Sequence, residues 1–393
     1  RRSDINLHRL LGWLLLEGKR YEEALEVYRA IDRLAKATGA EVFAFAERAY
    51  KEGAYEVAAK AYLEAINTPL APQRLPYARY GYALAMKELT FRTDTAQASL
   101  PSGTTIPETH ARYATAIDYF RKIIAEYPNS EFAARSAYQI GTIYYEKYFD
   151  LDQAIAAFTT AQQMLPATST LQHDVAIRMG EVLVAKGDTV TAKQWFRKVI
   201  AAATATPDQQ DEATYRLAEV EYFCGNFSDA MKALESISTN LKADFANDAL
   251  RLYTFLQENT ITAPAPLKEF ARADFLVRQK KYTEASAIFQ SLVEKYQQAL
   301  FVDDALLRIA TLQTLAGRYS DALLTYQRVL QQFKESSIAL DRAQFSIAEI
   351  YDYRLKDTAQ AISAYERLLT DYPQSLLVER ARRRIRELRG DSL

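Results

Sequence analysis

The sequence predicts an all-α chain assembled from about nine helix pairs, and three observations predict it. One phrase recurs nine times: an alanine followed four residues later by an aromatic or leucine, at Ala24, Ala58, Ala116, Ala154, Ala192, Ala230, Ala285, Ala322 and Ala361. The intervals are 34, 58, 38, 38, 38, 55, 37 and 39 residues, so six of the eight fall within one narrow period. Within a unit the apolar spacing is helical: Tyr319, Ala322, Leu323, Tyr326, Val329, Leu330 and Phe333 follow i, i+3, i+4, i+7, i+10, i+11, i+14. The third observation is a shortage of turn residues, 12 Gly and 11 Pro in 393 residues, which favours helices with short connections over sheets.

Each unit divides into two helices. The first carries a small residue 12 positions before the alanine at Gly12, Ala46, Gly180, Ala218, Ala273 and Ala310, and 13 before it at Gly141 and Ala348. Gly81 is given the same part in the third unit, ahead of an insertion. Small residues at fixed places on successive helices let backbones cross closely. Gly18, Gly53, Gly187, Gly225 and Gly317 lie between the helices, where a left-handed residue ends a helix. Pro128, Pro166 and Pro373 each stand 12 residues after their alanine and close the second helix. Ser130, and Thr206 ahead of Pro207, suit the N-caps of the helices that follow. A single helix pair cannot bury its apolar face, so stacked pairs form an α-solenoid.

The pattern Leu11-Gly12, Gly18, Tyr21, Ala24, Tyr28 resembles the tetratricopeptide repeat (TPR), and the resemblance extends over almost the whole chain. It implies a right-handed superhelix whose concave groove is lined by the first helix of each pair. Most units run longer than 34 residues and carry a Tyr-Pro-x-Ser join, at Tyr127-Pro128-Asn129-Ser130 and Tyr372-Pro373-Gln374-Ser375. This variant resembles bacterial cell-envelope TPR proteins of the BamD and YbgF/CpoB kinds. That implies the periplasm or outer-membrane periphery, with the cytoplasm as the alternative.

Two interruptions organise the array. Residues 90–109, rich in Thr and Ser, read as an insertion loop within the third repeat, either a tolerated surface insertion or a partner contact. Residues 244–258 read as a capping or degenerate-repeat helix with Phe245, Ala249, Leu252 and Leu256 on one face, and 259–266 as a hinge. The expected layout is therefore a first block over 1–258 with about six repeats. A second block over 267–393 has about three repeats and a C-terminal capping helix at 375–389.

Composition excludes much. Lys and Arg total 49 against 50 Asp and Glu, a net charge of −1, so no nucleic-acid partner is expected chain-wide. No stretch approaches the roughly 18 apolar residues of a membrane span, so membrane contact is expected to be peripheral or through an anchor preceding Arg1. There is no phosphate loop, no zinc-protease motif and no paired cysteine, so no cofactor, metal or catalytic residue is assigned and no enzymatic activity is expected. Cys224 reads as a buried apolar cysteine, His8, His110 and His173 as surface residues, and Trp13 and Trp195 as core. Asp150 and Asp152 resemble a calcium loop whose later ligands are absent.

Candidate contact residues follow from the repeat register. Co-chaperone TPR proteins carry an Asn directly after the first helix's small residue; here that position holds Trp13, Glu47, Tyr82, Thr142, Glu181, Glu219, Asp274, Thr311 and Glu349. The acidic members, Glu47, Glu181, Glu219, Asp274 and Glu349, argue against capture of a peptide carboxylate. They are either a groove for basic or neutral partners or carboxylates paired within the chain. Tyr50, Tyr82, Tyr145 and Tyr222 are candidate aromatic anchors, or ordinary inter-helix packing. Arg382, Arg383, Arg384 and Arg386 lie on the basic last helix. They are either a solubilising cap favoured by the helix dipole or an anion-docking surface. The expected function is a non-enzymatic protein–protein scaffold or adaptor. It would be a subunit of a bacterial envelope assembly, with partner segments held in the groove. The alternative is a regulatory or targeting region of a larger protein whose catalytic domain lies outside this sequence.

Overall fold

The computed structural model describes residues 2–97, 106–238, 245–333 and 337–391. Twenty α-helices and no strand occur among the described residues. They form nine successive pairs: α1 (Arg2–Glu17) with α2 (Tyr21–Ala35), α3 (Ala40–Lys51) with α4 (Tyr55–Ile66), α5 (Leu75–Gln97) with α6 (Ile106–Glu126), α7 (Glu131–Ile143) with α8 (Leu151–Met164), α9 (Leu171–Lys186) with α10 (Thr189–Ile200), α11 (Pro207–Phe223) with α12 (Phe227–Ser238), α14 (Pro264–Arg278) with α15 (Tyr282–Lys295), α16 (Val302–Leu315) with α17 (Tyr319–Gln332), and α18 (Ser337–Glu349) with α19 (Thr358–Asp371). Two helices are unpaired, α13 (Ala246–Thr262) and α20 (Val378–Arg389). The chain divides into two compact units, the first running to Arg178 and the second from Met179.

All nine repeat alanines are buried, and Phe120, Phe158, Phe196, Phe289 and Tyr365, four residues on, are among the most deeply buried side chains. The upstream small residue faces that aromatic. A Cβ added at Gly141 would lie 2.6 Å from the Phe158 ring, and one at Gly180 2.5 Å from the Phe196 ring. Gly81 departs from this scheme, because its Cβ position meets Tyr62 of the preceding pair, at 2.4 Å. Two pairs place the small residue 13 rather than 12 positions ahead of the alanine, and the structure shows where the extra residue goes. In both, the first helix ends in a π turn, at Tyr144–Tyr148 and Ile350–Arg354. A π turn takes in one more residue than the α-helix, so the two helices keep the same facing surfaces.

Ser130 caps α7, accepting from the Ala133 amide, and Thr206 with Gln209 forms a reciprocal capping box on α11. Asp150 caps α8 by accepting from the Gln153 amide, so its place beside Asp152 is that of an N-cap rather than part of a calcium loop. Gly53, Gly187, Gly225 and Gly317 have positive φ, but Gly18 does not; in the first pair Lys19 takes the left-handed conformation, at φ 56°. Helix occupies both ends of the expected loop at 90–109, since α5 continues to Gln97 and α6 begins at Ile106; residues 98–105 lie outside the described residues. The expected hinge at 259–266 is also mostly helical. Asn259, Thr260 and Thr262 donate back to the carbonyls of Phe255, Leu256 and Glu258, which carries α13 through this polar stretch. The change of direction falls on Ala263 (φ −149°), before Pro264 opens α14.

Several single-residue expectations are corrected. Cys224 is exposed, as the residue following α11. His173 is buried. Trp13 is exposed, and Trp195 is half-buried under the Lys198 ammonium. The side chain of His110 lies outside the described residues.

Candidate functional site

The first helices of each unit form a row, with α3 packed on α5 and α5 on α7 in the first unit, and α11 on α14 and α16 on α18 in the second. The acidic residues that follow the small residue lie on this row, and in the second unit they are engaged within the chain. Glu181 is buried and receives Arg216 at 2.8 Å and Arg278 at 3.3 Å. Glu219 pairs with Arg216 at 2.8 Å. Asp274 accepts from Arg308 at 2.7 Å and from the Tyr222 hydroxyl at 3.0 Å. Glu349 pairs with Arg380 at 2.7 Å, and burial pushes its carboxyl up. Glu181, Asp274 and Glu349 therefore tie one repeat to the next, whereas Glu219 pairs within its own helix. Arg216 and Arg308 each stand two places before the small residue of their own first helix, Ala218 and Ala310. That register rule is the signal by which the pairing could have been read.

Tyr222 and Tyr82 are buried, so neither offers an anchor to an incoming chain. Burial raises the Tyr222 hydroxyl well above its usual range, with Asp274 beside it. The Tyr82 ring meets Tyr119 edge-on at 4.7 Å, and burial pushes its hydroxyl up to about 12. In the first unit the row is more open. Glu47 is exposed and forms no ion pair among the described residues. Tyr50 is half-buried with its ring 5.2 Å from Tyr55, and Tyr145 is half-buried and stacked on Phe149.

The arginines of α20 separate into two kinds. Arg384 donates twice to Asp352, at 2.7 and 2.8 Å, and once to Glu387. Asp352, buried on the second π turn, also accepts from the Tyr365 hydroxyl at 3.2 Å. Arg382 pairs with Glu379. Arg383 and Arg386 are exposed and form no ion pair among the described residues. The Asp352–Arg384–Tyr365 cluster gave no sequence signal, since its members come from three elements. Among the described residues no group of three or more His, Cys, Asp or Glu could hold a metal ion, and no helix is long and apolar enough to cross a membrane. A cleft of about 570 Å³ lies between the α13–α14 junction and the end of α15, lined by Pro264, Pro266, Tyr296 and Ala299.

Comparison with known proteins supports the repeat reading. A tetratricopeptide repeat family matches residues 77–130, 304–336 and 342–375, and a second tetratricopeptide repeat family matches residues 6–38. The chain thus carries tetratricopeptide repeats in both units. Among curated proteins no sequence matches the chain. Similar solved structures include a human IFIT1 dimer with m7Gppp-AAAA, at 16% identity over 99% of this chain and 81% of that one, with a TM-score of 0.34. A tetratricopeptide repeat protein from Parabacteroides merdae is 11% identical over 78% of this chain and 99% of that one, with a TM-score of 0.41. The C-terminal part of a TPR repeat-containing protein from Cytophaga hutchinsonii is 17% identical over 70% of this chain and 96% of that one, with a TM-score of 0.29.

Proposed function

We propose that this chain is a protein-binding scaffold, without chemistry of its own, that holds a partner segment along the first-helix row of its first unit. The observation that carries the reading is the contrast between the units. In the second unit Glu181, Glu219, Asp274 and Glu349 are all engaged by arginines of the same chain. In the first, Glu47 is exposed and Tyr50 and Tyr145 are half-buried. A carboxylate beside aromatic faces suits a basic or neutral segment, since aromatic anchors carry much of the energy of such interfaces. The longer repeat and its Tyr-Pro-x-Ser join support a place in a bacterial envelope assembly of several subunits.

A photo-crosslinking amino acid at position 47 or 50, in the cells that make the protein, tests this directly. The expected result is a crosslinked protein in the envelope fraction, lost when Glu47→Arg and Tyr50→Ala are combined. Position 219 should give no such product. Equal crosslinking from position 219 would overturn the assignment to the first unit, and a chain confined to the cytosol would overturn the envelope role.

A further inference from the structure

Within the second unit, helix α14 crosses the end of α11 and runs on to α9. In its second turn the stem of Lys268 lies 3.5 Å from where a Cβ on Gly225, just after α11, would stand. Farther along, Phe275 stacks on Phe223 of α11 at 5.3 Å. In the last turn Arg278 reaches past α11 to the buried Glu181 of α9, at 3.3 Å. Gln279 then meets Gly187 beyond the end of α9, where a Cβ would lie 3.2 Å from its amide nitrogen. The Glu181–Arg278 contact spans 97 residues of sequence, against 34 for Asp274–Arg308 and 31 for Glu349–Arg380. It is thus no part of the nearest-neighbour stitching of the row, and α14 acts as a strap laid over α11.

The root of this strap has room to turn. Ala263 is the single residue between α13 and α14, and the chain changes direction on it. Helix α13 packs chiefly on α12 and only lightly on α14. The cleft of about 570 Å³ opens between this joint and the end of α15. A one-residue joint beside open space is where a hinge absorbs a change of backbone angles. At the other end of the strap, Arg278 is the replaceable one of the two arginines on Glu181. Its side chain is 30% exposed, whereas that of Arg216 is 18% exposed, lies closer at 2.8 Å and also holds Glu219. If Arg278 leaves, Glu181 keeps Arg216 as its counter-charge.

We propose that Ala263 is a hinge and Arg278 its latch. With Arg278 on Glu181, helices α14 to α20 are held closed against α9 to α13. On its release they swing about Ala263 as a body. Opening separates the half-buried rings of Phe223 and Phe275 and frees one side of Glu181 beside them. A carboxylate beside aromatic faces is the arrangement read above as a partner site at Glu47. Arg278 is therefore the chain's own stand-in for the basic side chain of a partner, and it keeps this second surface shut. That last step rests on the proposed function; the hinge and the latch do not, and they are tested without a partner.

Pulsed electron–electron distance measurements on the full chain carry the test. Spin labels go on Gln194→Cys of α10 and Gln327→Cys of α17, both exposed, with the exposed Cys224 replaced by serine. The parent should give one dominant distance. Arg278→Gln should add a longer one and raise the open fraction about fivefold, the shift that losing one partly exposed ion pair gives. Adding Phe275→Ala should open the chain further, with circular dichroism showing that the helices remain. Arg278→Lys keeps a charge where a single bond is donated, and should stay close to the parent. Arg380→Gln removes the Glu349 pair, which does not bridge the joint, and should leave the distance unchanged. A single unshifted distance in the chain lacking both Arg278 and Phe275 overturns the hinge. Opening by Arg278→Lys or Arg380→Gln equal to that by Arg278→Gln overturns the latch.

Discussion

Asp304 lies in the first turn of α16, where a helix N-terminus favours a charged carboxylate. Its surroundings oppose this more strongly. Burial and then the neighbouring Asp303 push its carboxyl up to about 6, against the opposing pull of Arg308 and Arg342. Since the folded-state value exceeds the unfolded one, the protonated form contributes stability that is fully present below about pH 4 and lost as pH rises through about 6. Asp304→Asn is therefore expected to stabilise the protein by about 1–2 kcal/mol at pH 8 and to make no difference near pH 4. Urea unfolding of both chains at the two pH values measures this, and an equal effect at both would show that the carboxylate's ionisation is not the cause. At this scale the sequence is legible where a residue's role depends on register alone. Gly180 reads as a crossing residue, and the Phe196 ring under it supplies the reason. Asp304 does not read as buried, because Asp274 and Arg342 reach it from other helices only through stacking, and the i+4 residue Arg308 alone reads as an ordinary helical partner.

A helix pair tolerates an extra residue only if its facing surfaces stay in register. The two pairs offset by 13 meet this condition with a π turn, and the left-handed residues that follow are Phe149 and Lys356, where four other pairs use glycine, at Gly53, Gly187, Gly225 and Gly317. The offset was visible in the sequence; its physical meaning was not, because apolar periodicity does not distinguish a π turn from a longer connection. The same blindness explains the hinge expected at 259–266. Asn and Thr read as loop residues, yet here their side chains bond back to the helix carbonyls and α13 continues to Thr262. Deleting exposed Glu146, inside the first π turn, restores the common 12-residue spacing and should cost no more than about 1 kcal/mol. Deleting exposed Lys186, at the end of α9, shortens a normal pair to 11 and rotates its packed face, which should cost more than about 3 kcal/mol. Thermal melts followed by circular dichroism compare the two. Equal losses would mean that the π turn is required for itself rather than as an absorbed insertion.

On the scale of the molecule, the pattern of contacts sets how far a disturbance travels. In each unit a helix packs chiefly on its immediate neighbours in the chain, so stability is a sum of local terms rather than the property of one shared core. Ion pairs such as Asp274 to Arg308 and Glu349 to Arg380 follow the same rule, joining a first helix to the next one along, while Glu181 also reaches past α11 to Arg278. This locality explains why the repeat fold was legible throughout, since every repeat restates it. The candidate site was legible only in part, since Glu181, Asp274 and Glu349 acquire their meaning from partners about one period away. Tyr365 provides the test. It is fully buried, meets Phe345 of α18 at 5.5 Å and donates to Asp352 on the π turn before α19. Tyr365→Ala should cost about 3–5 kcal/mol locally. Hydrogen exchange read by mass spectrometry should then quicken across residues 337–389, while residues 207–238 of the same unit keep their protection. Acceleration spread evenly over the whole unit would instead require a single cooperative core, which the nearest-neighbour packing does not provide.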